Sequence, residues 1–220
     1  MGEWTPADRR IGLWSATSVV VLWVMYVTVG LVGVVVRPPS PNPLNQADPY
    51  LAMLEILMSL CAVALVVMMA AVYCYAPPDR KTHSLAALAC MIVFVVLTCS
   101  VHFVSLTVGR QIEPKVVSAL LSQQLSFEQW PTLALALDLL AWDFFLGLSL
   151  LFAAPVFKGD GPPNRVRISM IVAGMLCLAG VLGPALGQMH IQYLGIGGYA
   201  FVLPVACFLL AMLFRRSASF

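Results

Sequence analysis

The chain has 220 residues, of which 61% are apolar and only 10% charged, with a mean hydropathy of +0.93. A water-soluble fold of this length cannot bury so much apolar surface, which excludes a cytosolic enzyme, a secreted disulfide scaffold, a coiled coil and a disordered chain. The formal charge of +2 comes without a clustered basic face, so nucleic acid is excluded as a partner.

Six apolar runs are each long enough to cross about 30 Å of hydrocarbon at about 1.5 Å per residue. They fall near 11–36, 50–75, 84–109, 131–157, 167–187 and 194–214. None alternates apolar and polar residues as barrel strands do. The expected fold class is therefore an all-α integral membrane protein, a six-transmembrane-helix bundle in which residues 1–220 form a single polytopic domain.

The first run is too long for the apolar core of a signal peptide and no small-residue cleavage site follows it, so it reads as a retained span. Arg37, Pro38 and Pro39 end it, and the five prolines from Pro38 to Pro49 predict a stiff, extended loop. The second and third runs are joined by Ala76-Pro77-Pro78-Asp79-Arg80-Lys81, a proline-rich basic turn. After the third run, Ile112, Val116, Val117, Leu120, Leu121 and Leu125 recur at helical spacing behind Pro114. This predicts a short amphipathic outer-surface helix between helices 3 and 4, over 114–125, that either covers helix ends or acts as a lid. Lys158-Gly159-Asp160-Gly161-Pro162-Pro163 closes the fourth run. A Pro-Pro-x-Arg turn thus follows both the Glu55 span and the Asp138 span, a likeness that the shared need for a turn and a basic anchor explains.

On the fifth run, Gly180, Gly183 and Gly187 share one side, as close helix packing requires. Pro184 and Pro204 each remove an internal hydrogen bond and predict kinks in the last two helices. The segment Gly195-Ile196-Gly197-Gly198-Tyr199 reads as a glycine-rich helix start. Cys61, Cys74, Cys90, Cys99, Cys177 and Cys207 lie within or at the ends of spans with no C-x-x-C, so they read as packing residues.

Four ionisable side chains fall inside the spans: Glu55, His102, Asp138 and Asp143. Such groups are unfavourable in hydrocarbon by a few kcal/mol and normally face protein or trapped water. Counting along the helices places Glu55, His102 and Asp138 roughly 8–11 Å below the outer boundary, on three different helices. Ser59 follows Glu55 by four residues, Thr98, His102 and Ser105 stack on the third helix, and Trp142 shares a face with Asp138. Asp143 sits about 140° round the fourth helix from Asp138. That helix therefore needs protein on most sides. With no Lys or Arg at its depth, Asp143 is expected to be neutral. Arg110 and Gln111, at the outer end of the third helix, are placed to close the site from above.

Asp138, Asp143, His102 and Glu55 are thus the candidate catalytic residues, and Trp142, Arg110, Ser59 and Ser105 the candidate substrate-binding residues. Three readings fit them. One is a hydrogen-bonded network that only fixes helix register. Another is a membrane-embedded enzyme in which a carboxylic acid and His102 exchange protons with a small amphiphile or isoprenoid-like lipid, Trp142 supplying an aromatic wall. The third is a proton or solute carrier, or a non-catalytic subunit of a membrane complex.

Metal ligation by Glu55, His102 and Asp138, with His190 nearby, is poorly served by the spacing, since no E-x-x-H or H-x-x-x-H occurs. Haem between His102 and His190 fares worse, and no cofactor is identified. The Walker A, G-x-G-x-x-G, G-x-S-x-G and H-E-x-x-H motifs are absent from the sequence. The resulting expectation is a polar pocket in the outer half, formed by the second, third and fourth helices, that binds a small amphiphile or isoprenoid-like lipid and converts it by acid–base chemistry. Its partners would be membrane lipids and that ligand.

Lys and Arg set the orientation, because cytoplasmic loops hold the excess. Arg9, Arg10, Arg80, Lys81, Lys158, Arg165, Arg167, Arg215 and Arg216 fall on the side of the termini, against Arg37, Arg110 and Lys115 on the other. Both termini are therefore expected in the cytoplasm. In a cysteine-depleted chain, an impermeant thiol reagent applied from outside should label Asn45→Cys and spare Asp160→Cys. The reverse pattern would refute the orientation.

Overall fold

The computed structural model describes residues 4–36, 49–109 and 130–216. Among these the chain forms six helices long and apolar enough to span a membrane: α1 (Pro6–Val36), α2 (Tyr50–Tyr75), α3 (Pro78–Val108), α4 (Leu133–Val156), α5 (Pro162–Ala185) and α6 (Met189–Arg216). The protein is a multi-pass, all-helical membrane protein. The last two helices begin about five residues earlier than their apolar runs imply, because α5 continues helically through Arg165 and Arg167 and α6 opens on a tight turn at Met189–Gln192. The expected amphipathic helix at 114–125, the proline-rich loop from Pro38, and Arg110 lie outside the described residues.

Helix ends follow from local chemistry. Thr5 and Asp8 form a reciprocal cap at the start of α1: Asp8 N–H donates to Thr5 Oγ1 at 3.2 Å and Thr5 N–H to Asp8 Oδ2 at 3.1 Å. Ala76, held extended at ψ 132° by the proline that follows, stops α2, and Lys81 Nζ donates to the last carbonyls of that helix, Tyr73 and Cys74. Gly161, at φ 75°, turns the chain into Pro162 and Pro163, which suit a first helical turn. Thr132 caps α4 by accepting from Leu135 N–H at 3.3 Å.

Each helix packs against its sequence neighbours, and α6 returns to α1. The result is a closed ring of six antiparallel helices with both termini at one end. Of the six, α4 is the most buried and α1 the least, in line with the need to shield two carboxyl groups on α4. The terminal end is filled by aromatic rings: Tyr75 lies 5.3 Å from Trp4, 5.8 Å from Phe157 and 5.7 Å from Phe214, measured between ring centroids. Gly12 lets α1 approach this plug, where a methyl group would stand 2.7 Å from the Phe214 ring.

Small residues set the remaining close contacts. A methyl group on Gly174 of α5 would lie 2.8 Å from the Gly147 carbonyl oxygen of α4, and one on Gly180 would lie 2.7 Å from Gly195 Cα of α6. Gly183 likewise abuts Gln192. Gly187 does not belong to this packing stripe: it has open space around it and φ 67°, and it ends α5 as a left-handed turn residue. Pro184 breaks α5, since it offers no N–H to Gly180. Regular helix ends at Gly180 and resumes for a single turn at Leu182–Ala185.

Three helices also contain wide π turns, at Ser105–Gly109, Leu140–Phe145 and Gly197–Val202. Each inserts an extra residue into its turn and so rotates the side chains beyond it.

Gly174→Ala should lower stability by about 1–3 kcal/mol, because its neighbours are a backbone oxygen and a packed leucine. Gly197→Ala is the control: its backbone is helical and nothing lies within 4 Å. It should be neutral or stabilising by about 0.5–1 kcal/mol. Denaturant midpoints in mixed micelles compare the two, and a Gly174→Ala protein as stable as the parent would contradict the close α4–α5 approach.

Candidate functional site

Away from the termini the helices line a half-open cavity of about 440 Å³. Side chains spaced three or four apart line it from five helices. Leu51, Leu54, Glu55 and Met58 come from α2, and Leu135, Asp138 and Trp142 from α4. His102 of α3 lies between them, while Trp23, Tyr26 and Val27 of α1 and Ile196, Tyr199 and Ala200 of α6 complete the wall. The pocket is thus larger than the sequence implies, with α1 and α6 added to α2, α3 and α4.

Glu55 is held at both oxygens by α3. Its Oε2 is hydrogen-bonded to His102 Nδ1, and its Oε1 accepts from Ser105 Oγ at 2.8 Å. The other imidazole nitrogen, Nε2, lies 3.6 Å from Asp138 Oδ1 on α4. His102 therefore stands between two carboxyl groups from two other helices. Trp142, one turn on from Asp138, lines the cavity beside it. The side chains of Glu55 and His102 are 5% and 10% exposed, against 20% for Asp138. Asp138 is accordingly the most exposed of the three.

The aromatic walls are built around Trp142. Its ring lies 4.9 Å from Phe94 in an edge-to-face arrangement, 5.2 Å from Tyr199 and 6.2 Å from Trp23. Trp23 stacks on Tyr26 at 5.6 Å, and its indole N–H donates to the Ala200 carbonyl at 3.0 Å. That carbonyl has no α-register amide for a sequence reason. The amide that would return to it in α-helical register belongs to Pro204, which has no N–H.

The remaining candidates are placed differently. Ser59 turns its hydroxyl back to the Glu55 carbonyl of its own helix at 2.9 Å and does not line the cavity. Asp143 is fully buried in a separate niche, against Gly180 and Gly195, where a methyl group at Gly195 would overlap its Oδ1. Its Oδ2 is 3.5 Å from Gln192 Nε2, which also lies 3.3 Å from the Tyr199 hydroxyl. His190 is exposed, apart from the cluster. Among the described residues no group of three His, Cys, Asp or Glu is arranged to hold a metal ion.

Sequence reasoning missed Trp23, Tyr26, Tyr199 and Gln192. For Trp23 a signal existed, since Pro204 implies an open carbonyl four residues earlier and an indole is a donor that can close it. Gln192, a polar amide beside an apolar run, is also visible once neutral polar groups are counted with ionisable ones.

No family model matches the chain, and no curated protein or solved structure matches it either.

Removing one member of a buried pair leaves the other without its partner, so Glu55→Leu and His102→Leu should each lower stability by about 3–5 kcal/mol. The double variant should lose clearly less than the sum, because the two groups interact directly. Unfolding in mixed micelles measures all three, and additive losses would show that the pair is not coupled.

Proposed function

We propose that this protein takes a small amphiphile or isoprenoid-like lipid into the cavity and moves a proton on it. The observation that carries this reading is the Glu55–His102–Asp138 set opening on a cavity whose other walls are aliphatic and aromatic. A volume of about 440 Å³ is within the range of small-molecule sites. An apolar chamber with one cluster of polar groups suits a ligand with an apolar body and one reactive or polar end.

In this mechanism Asp138 meets the ligand and gives it a proton. His102 takes one from another position of the ligand and returns it to Asp138, 3.6 Å from its Nε2, while Glu55, held by Ser105, fixes the imidazole at Nδ1. Trp142 offers its ring as a wall beside Asp138. Net proton relocation is an isomerisation that needs no oxidant, reductant or second substrate. The aromatic plug at the terminal end supports binding and conversion over a carrier with a path through the bundle. With the positive charge on the terminal side taken as cytoplasmic, the cavity lies in the outer half of the membrane.

Photolabelling with a diazirine-bearing isoprenoid alcohol tests the reading. Label should enter α2 at Leu54 and Met58, which line the cavity, and Leu54→Trp, which fills it, should abolish that labelling. Label confined to Ile56 and Leu60, on the outer face of the same helix, would overturn the proposal.

A further inference from the structure

We infer that the cavity opens sideways into the bilayer, between the outer halves of α1 and α6, and that its ligand is a long-chain lipid whose tail stays in the membrane while its polar end lies inside. This rests on the reading that the cavity holds an amphiphile, and it adds the length of that ligand and its way in. α1 packs closely on Leu203–Arg216, the terminal half of α6, and has no comparable packing on residues 193–202, the part farther out; every residue of both stretches is described. The bond from the Trp23 indole to the Ala200 carbonyl stands where the two helices part. Burial along α1 changes at the same place. Gly12, Ser15, Ala16, Val19 and Trp23 are buried at successive turns, whereas Tyr26, Val27 and Gly30, which continue that stripe, are not.

The parting is continuous with the cavity. Val27 lines the chamber and is nonetheless 45% exposed, and on the facing helix Ile196 lines it while Tyr193, one turn farther out, is 71% exposed. Val27 and Ile196 lie six to seven residues outward from the midpoints of Pro6–Val36 and Met189–Arg216. That is roughly 9–10 Å, inside a hydrocarbon half-thickness of about 15 Å. The gap therefore faces acyl chains, and both of these rim residues are apolar. A cavity of about 440 Å³ is too small for the whole of a long polyprenyl or acyl chain. Closed on all sides, it would admit short amphiphiles alone. A lateral gap removes that limit, because the methylene groups beyond the chamber stay in hydrocarbon and are never transferred to water on the way in. It also gives the ligand one pose, with its polar end among Glu55, His102 and Asp138 and its tail passing outward between Val27 and Ile196.

Photolabelling of the full chain in phosphatidylcholine nanodiscs tests the inference with diazirine probes at equal mole fraction in the bilayer. The short probe is an isoprenoid alcohol of two prenyl units. The long probes are a polyprenol several times that length, with the diazirine either beside the hydroxyl or midway along the tail. The short probe and the head-labelled long probe should mark Leu54 and Met58 equally. The tail-labelled probe should mark Val27 and Tyr193 well above Ile92 and Met175, which are comparably exposed but lie on α3 and α5. Excess unlabelled short alcohol should remove all of these patterns. If the short probe marks Leu54 and Met58 and the long one does not, the lateral gap falls and the amphiphile reading stands. A tail label spread evenly over lipid-facing residues, with the head label in place, overturns the gap between α1 and α6 as the tail's exit. If neither length reaches Leu54 and Met58, both readings fall.

Discussion

Hydrocarbon offers a carboxyl group no hydrogen bond, and Glu55 is stable in a span because α3 supplies a partner to each of its oxygens. Much of the distal architecture follows from meeting that need. His102 and Ser105 can reach the two oxygens only if α2 and α3 keep one register. Once His102 is so oriented, its second nitrogen points toward α4, where Asp138 stands 3.6 Å away. Three helices are thereby aligned at one depth by groups that would each be expelled from lipid if unpaired.

The same rule applied to the backbone accounts for the other half of the wall. Pro204 deprives the Ala200 carbonyl of its α-register amide, and the indole of Trp23 donates to it from α1. This contact ties the least buried helix of the ring to α6 and stands the Trp23 ring against the cavity. The π turns belong to the same account. Ser105 opens one, Trp142 and Asp143 lie in another, and Tyr199 lies in the third. A helix that packs by small residues at one end and by polar pairs at the other needs a different rotation at each. One inserted residue supplies the difference.

The spans were legible because bilayer thickness sets a length that few other structures require. Glu55, His102 and Asp138 were legible through depth, since ionisable groups at one level in lipid have nowhere to go but toward each other. The aromatic wall was not. Tyr26 and Tyr199 sit in apolar runs where a ring is equally at home against lipid, and only the tertiary fold decides which way it faces. Ser59 shows the converse. It shares the Glu55 side of α2 by spacing, yet a serine hydroxyl can be satisfied by its own helix four residues back, so periodicity did not make it a lining residue. Gly187 shares the spacing of Gly180 and Gly183 but follows the break at Pro184, where spacing no longer reports a face.

Asp143 shows how far the two carboxyl groups of α4 have been separated in role. A regular helix would set it about 140° from Asp138, but the π turn beginning at Leu140 intervenes and the side chain enters a niche that only glycine at 180 and 195 leaves open. From there it reaches the cavity by one route among the described residues, through the Gln192 amide to the Tyr199 hydroxyl. Gln192 donates toward both groups, so the Tyr199 oxygen serves as acceptor on that side and its own proton is left to point elsewhere. Tyr199, which stands beside Trp142 in the wall, is thus linked to Asp143 through a single amide. A carboxyl group with no place on the cavity surface is in this way connected to one of the side chains that form it.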